Sequence, residues 1–182
     1  TPLQSTCVAA DTTYPFEFAA VFDTPGGAFL WVSQAGEAAP SAPSGYAYAD
    51  STMKMVVFAM TSNARSALHG MRDATDALMT SGACPEVTAS CSPGDVACYG
   101  PTIVPTTAGA CVTIRFPSSS SSLRDFHATV STSGIDHVAI FTQHVPTEFE
   151  ENVHYLKDSH GHDIEPLAEP DVEGGGGGGG GG

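Results

Sequence analysis

Lysine and arginine are scarce: the 182 residues contain 6 of them against 20 aspartates and glutamates, a formal net charge of −14. An acidic surface of that kind repels phosphate, so no nucleic acid and no anionic membrane is expected as a partner. Long apolar runs are missing as well. No stretch approaches the ~18–20 residues that a membrane-crossing helix needs, so no membrane span is expected. The chain has no N-x-S/T sequon, because Asn63 is followed by Ala-Arg and Asn152 by Val-His. It has no H-E-x-x-H pair for a zinc protease, no G-x-S-x-G elbow for a serine hydrolase, and no internal repeat of 20–50 residues. Adjacent acids such as Glu150 and Glu151 would point about 100° apart on a helix and so do not face one substrate. These absences leave a protein read as non-enzymatic.

What is present is a globular composition, 41% hydrophobic, of a length suited to one domain. The chain begins at Thr1 and not at Met. The expectation is that a leader has been removed, in keeping with secretion. Five cysteines point the same way. Cys84, Cys91, Cys98 and Cys111 form a C-x6-C-x6-C-x12-C cluster in a segment rich in Pro, Gly, Ser and Thr. Zinc sites use tighter C-x2-4-C pairs, so two disulfides stapling a loop over 82–111 are expected, in any of three pairings. The odd cysteine, Cys7, is then left for a bond between chains; alternatively Cys7 bonds into the core and another is left over. An extracellular or cell-surface location follows from this disulfide reading.

Along the chain, residues 1–13 read as an extended arm and 14–157 as a single β-rich domain. YPFEFAAVFDTPGGAFLWVSQ holds two apolar runs around the turn chemistry of DTPGG, and predicts a hairpin. MKMVVFAM predicts a buried strand, and Leu68, Met71, Ala74 and Leu78 fall at helical spacing, predicting a helix over about 64–80. Ser62 or Asn63 is its expected cap and Gly82 its expected end. CVTIRF predicts a strand, and DFHATVST with DHVAIFTQHV predicts a second hairpin. PTEFE carries a capping box, Thr147 with Glu150, that predicts a short helix to about Leu156. The fold class expected is α+β, mainly β, with a β-sandwich or jelly-roll-like body, one medium and one short helix, and extended termini. PSAPS, PTIVPTT and PSSSSS are Pro-flanked hydroxyl runs; O-linked glycans are the partner they suggest, against a plain solvated loop.

Histidine is the strongest chemical signal. Six of seven lie between positions 127 and 162. Neutral imidazole with carboxylates suits zinc, copper or iron. The candidate ligands are His160 and His162, flanked by Asp158 and Asp163, as a loop chelate. Two further pairs are His144 with Glu148 at a strand-to-helix junction, and His154 with Glu150 at i,i+4. On the predicted strand His137 and His144 point to opposite faces, which argues against one site for all.

Residues 158–182 read as an extended acidic and Gly-rich arm. Between Glu148 and Glu173 there are nine acids and one lysine, so self-repulsion favours extension. Nine glycines follow: Gly174, Gly175, Gly176, Gly177, Gly178, Gly179, Gly180, Gly181 and Gly182. Glycine presents bare backbone and permits close approach, so such a run suits addition to a sheet edge or a narrow groove, where a plain linker is the alternative. On an identical neighbour that contact is head-to-tail and gives rings or filaments. The function expected is a structural subunit of an extracellular, self-assembling filament, partnered by copies of itself. The alternative is an extracellular or periplasmic transition-metal-binding protein that uses the C-terminal His/Asp/Glu cluster.

Overall fold

The computed structural model describes residues 14–24, 27–37, 45–92, 94–118 and 124–167. Two stacked sheets form a sandwich-like body. The strands, in chain order, are β1 (Phe18–Asp23), β2 (Ala28–Gln34), β3 (Gly36–Glu37), β4 (Tyr46–Ala47), β5 (Thr52–Met60), β6 (Glu86–Thr88), β7 (Cys98–Ile103), β8 (Ala110–Arg115), β9 (Asp125–Ser131), β10 (His137–Thr142) and β11 (Leu156–Lys157). The first sheet runs β1-β10-β5-β8-β6 and the second β11-β2-β9-β7, with β3-β4 as a small separate pair.

Both expected hairpins are corrected. β1 pairs antiparallel with β10, from Phe18 opposite Thr142 to Asp23 opposite His137. β2 pairs with β9, from Ala28 opposite Ser131 to Gln34 opposite Asp125. Residues 18–34 and 125–142 are therefore one long antiparallel ribbon bent across both sheets. Turn chemistry at DTPGG and TSGI marks reversals of the chain, but it does not say whether the next strand stays in its sheet. The two corners are bonded to each other: Thr132 N–H donates to Gly27 O at 3.0 Å, and the Thr24 hydroxyl donates to Ile135 O. Gly27 takes a positive φ of 88° there, which its missing Cβ allows.

Between the sheets lies a core that includes Phe22, Phe29, Trp31, Met53, Met55, Ile114, Phe126, Val138, Ile140 and Tyr155. The opposite face of the first sheet is covered by α1 (Arg65–Gly70) and α2 (Arg72–Thr80), which pack Leu68 and Met79 against Val21, Val56, Phe58, Ala139 and Phe141. A sheet buried on both faces needs unbroken apolar strands, which is why MKMVVFAM and HVAIFT do not alternate. The helical run matches the expected span, with a break at Met71, whose N–H reaches back three residues to Leu68 O. No side chain caps its start; Ser62 Oγ instead accepts from Ala64 N–H, while Gly82 follows its end at φ +73°.

The short helix expected to Leu156 is a single 3-10 turn, Pro146–Phe149. The capping box does not form, because the Glu150 carboxylate turns forward to accept Tyr155 N–H at 2.8 Å. The next turn is closed by a distant side chain. Gln34 Oε1 accepts the N–H groups of Glu151, Asn152 and Val153 at 3.1, 2.9 and 3.0 Å. The chain then enters β11 against β2.

The cysteines pair as nested bridges, Cys84–Cys111 and Cys91–Cys98. The segment between them is more ordered than a loop, since it carries β6 and β7. Two disulfides indicate an oxidising compartment. Among the described residues no helix is long and apolar enough to cross a membrane.

Candidate functional site

Sheet edges decide where another strand can be added, because only an edge carries backbone groups without a partner strand. Three of the four edges in the two main sheets are short or covered. β6 is three residues long. β7 is met by Ser90, which exchanges two backbone hydrogen bonds with Tyr99 at 2.7 and 2.8 Å, and Pro101 within it has no N–H to offer. β11 is covered by the chain's own continuation: Ile164 N–H donates to Leu156 O, and Lys157 bridges to Asp163.

β1 is the remaining edge. Gln143 N–H donates to Lys54 O on the β5 side of β10. By alternation Val138, Ile140 and Thr142 turn their backbone groups toward β1, where Phe22, Ala20 and Phe18 meet them. The N–H and C=O groups of Ala19, Val21 and Asp23 therefore point to the outer side of the sheet. The Val21 carbonyl accepts Leu167 N–H there at 2.7 Å. The C-terminal segment thus leaves the second sheet at Ile164, crosses the side of the sandwich, and meets the outer edge of the first sheet at Leu167, where Ala19 and Val21 are buried and Asp23 is exposed.

This course differs from an arm protruding at 158. Residues 158–167 lie on the body. Asp158 organises the reversal: its Oδ1 accepts the N–H groups of His160 and His162 at 2.8 and 2.9 Å, and its Oδ2 lies 3.1 Å from His162 Nδ1. Those donors, the His162 amide foremost, hold the Asp158 carboxyl at about 2, below its ordinary 3.8. The candidate ligands His160 and His162 are exposed on this turn, with ring centroids 6.1 Å apart. Asp163 is turned away from them to Lys157, whose ammonium holds its carboxyl below the ordinary range. His154 is bound on both sides: Nδ1 lies 2.9 Å from Glu150 Oε1, and Nε2 lies 3.2 Å from Ile164 O. It clamps the C-terminal segment to the body.

The remaining histidines scatter along the ribbon. His127 sits half-buried on β9 with its ring edge-on to Tyr99, and burial lowers its pKa against the pull of Asp125. His137 pairs with Asp23 at 2.8 Å at the far end of β1. His144 follows β10, its Nδ1 4.0 Å from Glu17 and its Nε2 3.4 Å from Asp50. Glu148, on the 3-10 turn, joins it. Glu17, His144 and Glu148 each offer one ligand atom, and these atoms lie within 4.8 Å of one another. No other trio of His, Cys, Asp or Glu converges so closely among the described residues. The sequence had paired His144 with Glu148 but missed Glu17, since Glu17 reaches them only through the β1–β10 pairing that the expected hairpins concealed. Glu17 N–H donates to Thr142 O at 3.1 Å at the start of that pairing.

Cys7 and the glycines Gly174 to Gly182 lie outside the described residues. No protein-family model, no curated protein and no solved structure matches the chain.

Proposed function

We propose that the chain is a structural subunit of an extracellular polymer whose copies are linked head-to-tail by the C-terminal segment. One contact supports this reading: Leu167 N–H on the outer carbonyl of Val21, at the edge of the first sheet. Here the final described residue meets an edge whose residues are buried at Ala19 and Val21 and exposed at Asp23. Fifteen residues follow it, nine of them glycine. A side-chain-free segment suits such an edge because strand addition works through main-chain hydrogen bonds.

Exchange of this segment between copies keeps every contact and changes only which chain supplies it, a low-cost route to association. The exchanged contact is heterologous, so it propagates into open chains unless the geometry closes a ring. The segment and the body are both acidic, so exchange strengthens as salt screens their repulsion. Cys7 is assigned to a bond between neighbours, and the Pro-flanked runs near 101–107 and 117–122 to O-linked sugars.

Velocity sedimentation and negative-stain microscopy of the full chain, against a chain ending at Glu165, test the reading. The full chain forms concentration-dependent oligomers that grow with ionic strength, and the shortened chain is monomeric. A full chain that is monomeric at all micromolar concentrations and salt levels overturns it. Non-reducing electrophoresis shows in addition whether a Cys7 bond joins the copies.

A further inference from the structure

A second site lies at the opposite end of β1 from Asp23. Glu17, His144 and Glu148 come from three separate points of the chain: the entry to β1, the exit of β10 and the 3-10 turn. None of them is sequence-adjacent to another, and the fold gathers them. Two carboxylates so close repel each other unless a positive charge sits between them. Among the described residues no Lys or Arg ion pair is found at either glutamate. Lys54 sends its ammonium elsewhere, to Met79 O at 2.6 Å.

The imidazole adds a second, independent observation. His144 Nδ1 faces Glu17, while Nε2 is fully covered, makes no hydrogen bond, and lies 3.4 Å from Asp50 Oδ2. Metal-binding histidines place one nitrogen on the ion and commonly give the other to a carboxylate that orients the ring and raises its basicity; Asp50 is the carboxylate nearest Nε2. An ion on Nδ1 fixes the proton on Nε2, the side of the ring on which Asp50 lies.

We propose that Glu17, His144 and Glu148 bind a divalent first-row transition ion, with Asp50 as the positioning residue behind His144. One imidazole and two carboxylates form a donor set that zinc accepts in tetrahedral sites, with the fourth position left to water. The two anionic ligands match the charge of the ion. Glu17 and Glu148 are exposed, so the ion enters from solvent with little rearrangement. The bound ion ties the start of edge strand β1 to the 3-10 turn, a structural role independent of whether the chain polymerises.

Zinc titration of the full chain by calorimetry, with the histidine ring resonances followed by NMR, is the test. One stoichiometric site that shifts the His144 ring is expected. Glu148→Gln, at an exposed position that leaves the core untouched, and His144→Ala should each weaken binding by at least tenfold. Asp50→Asn should weaken it by 10–100-fold, the usual effect of losing such a partner. Near-UV circular dichroism establishes that each variant is folded. His160→Ala with His162→Ala should leave the site intact. The proposal is overturned if zinc leaves the His144 ring unshifted, if Glu148→Gln binds as tightly as the parent, or if binding disappears with His160 and His162.

Discussion

Gln34 offers the most direct test of how the C-terminal third is held to the sandwich. The residue is 5% exposed at the end of β2. Its carbonyl oxygen accepts three successive N–H groups, and its amide nitrogen donates to Asp125 Oδ1 at 2.9 Å and Asn152 Oδ1 at 3.0 Å. Gln34→Leu keeps the volume and removes all five hydrogen bonds. A net hydrogen bond contributes about 0.5–1.5 kcal/mol, and a buried group left without a partner costs about 1–3 kcal/mol. Glu151 and Asn152 are exposed and regain water, so the loss falls below the simple total. The expected destabilisation is about 2–4 kcal/mol, read from urea unfolding as a lower midpoint with an unchanged slope. Native-state hydrogen exchange localises it. The amides of Glu151, Asn152 and Val153 should lose more protection than those of β5, because the turn opens before the sheet does. An unfolding free energy within about 0.5 kcal/mol of the parent, a bound on ordinary surface changes, refutes the assignment of Gln34 as the anchor. So does uniform loss of protection across turn and sheet.

Removing the longer bridge with Cys84→Ala and Cys111→Ala frees a loop with a sequence separation of 27, and should cost about 3–4 kcal/mol in urea unfolding. The effect should exceed that of Cys91→Ala with Cys98→Ala, whose separation is 7. His127 should titrate by NMR below the ordinary histidine midpoint, because burial disfavours the imidazolium; Asp125→Asn should lower it further by removing a favourable charge. A depressed histidine favours the unfolded chain once protonated, so this group costs stability as pH falls through its unfolded value of about 6.5. Asp158 works in another window. Its folded pKa of about 2 lies below the ordinary 3.8, so its contribution is complete above about 4 and is lost as pH falls through 2. Asp158→Ala should remove that acid step and raise amide exchange at His160 and His162.

Much of the architecture is legible in the residues. Unbroken apolar strands, one helical run ended by Gly82, and a Cys-rich insertion lead to a disulfide-bearing sandwich without further information. Pairing is not legible. DTPGG and TSGI signal reversals equally well for a hairpin and for a corner between two sheets. The choice is made by long-range packing of Phe22, Trp31 and Tyr155 across the interior. The capping box at Thr147 failed for a similar reason. A local signal worth about 1 kcal/mol was lost when the Glu150 carboxylate turned forward to Tyr155 N–H, and the turn that follows is closed by Gln34, more than a hundred residues away. The histidine-rich tail drew attention to His160 and His162 because they are close in sequence, but the turn held by Asp158 leaves them exposed. Glu17 went unnoticed because its partners lie about 130 positions along the chain and meet it through register alone.

The central claim is that the C-terminal segment is the connector and the β1 edge its receptor. The decisive measurement mixes two tagged preparations of the full chain, dilutes them into physiological salt, and follows co-sedimentation of the tags with time. The account predicts mixed oligomers, lost when both preparations end at Glu165 or when both carry a receptor edge blocked by Val21→Pro and Asp23→Pro, and kept as pairs when one ends at Glu165 and only the other is blocked. Tags that never co-sediment, in a protein that stays monomeric with its segment closed on its own β1, contradict it.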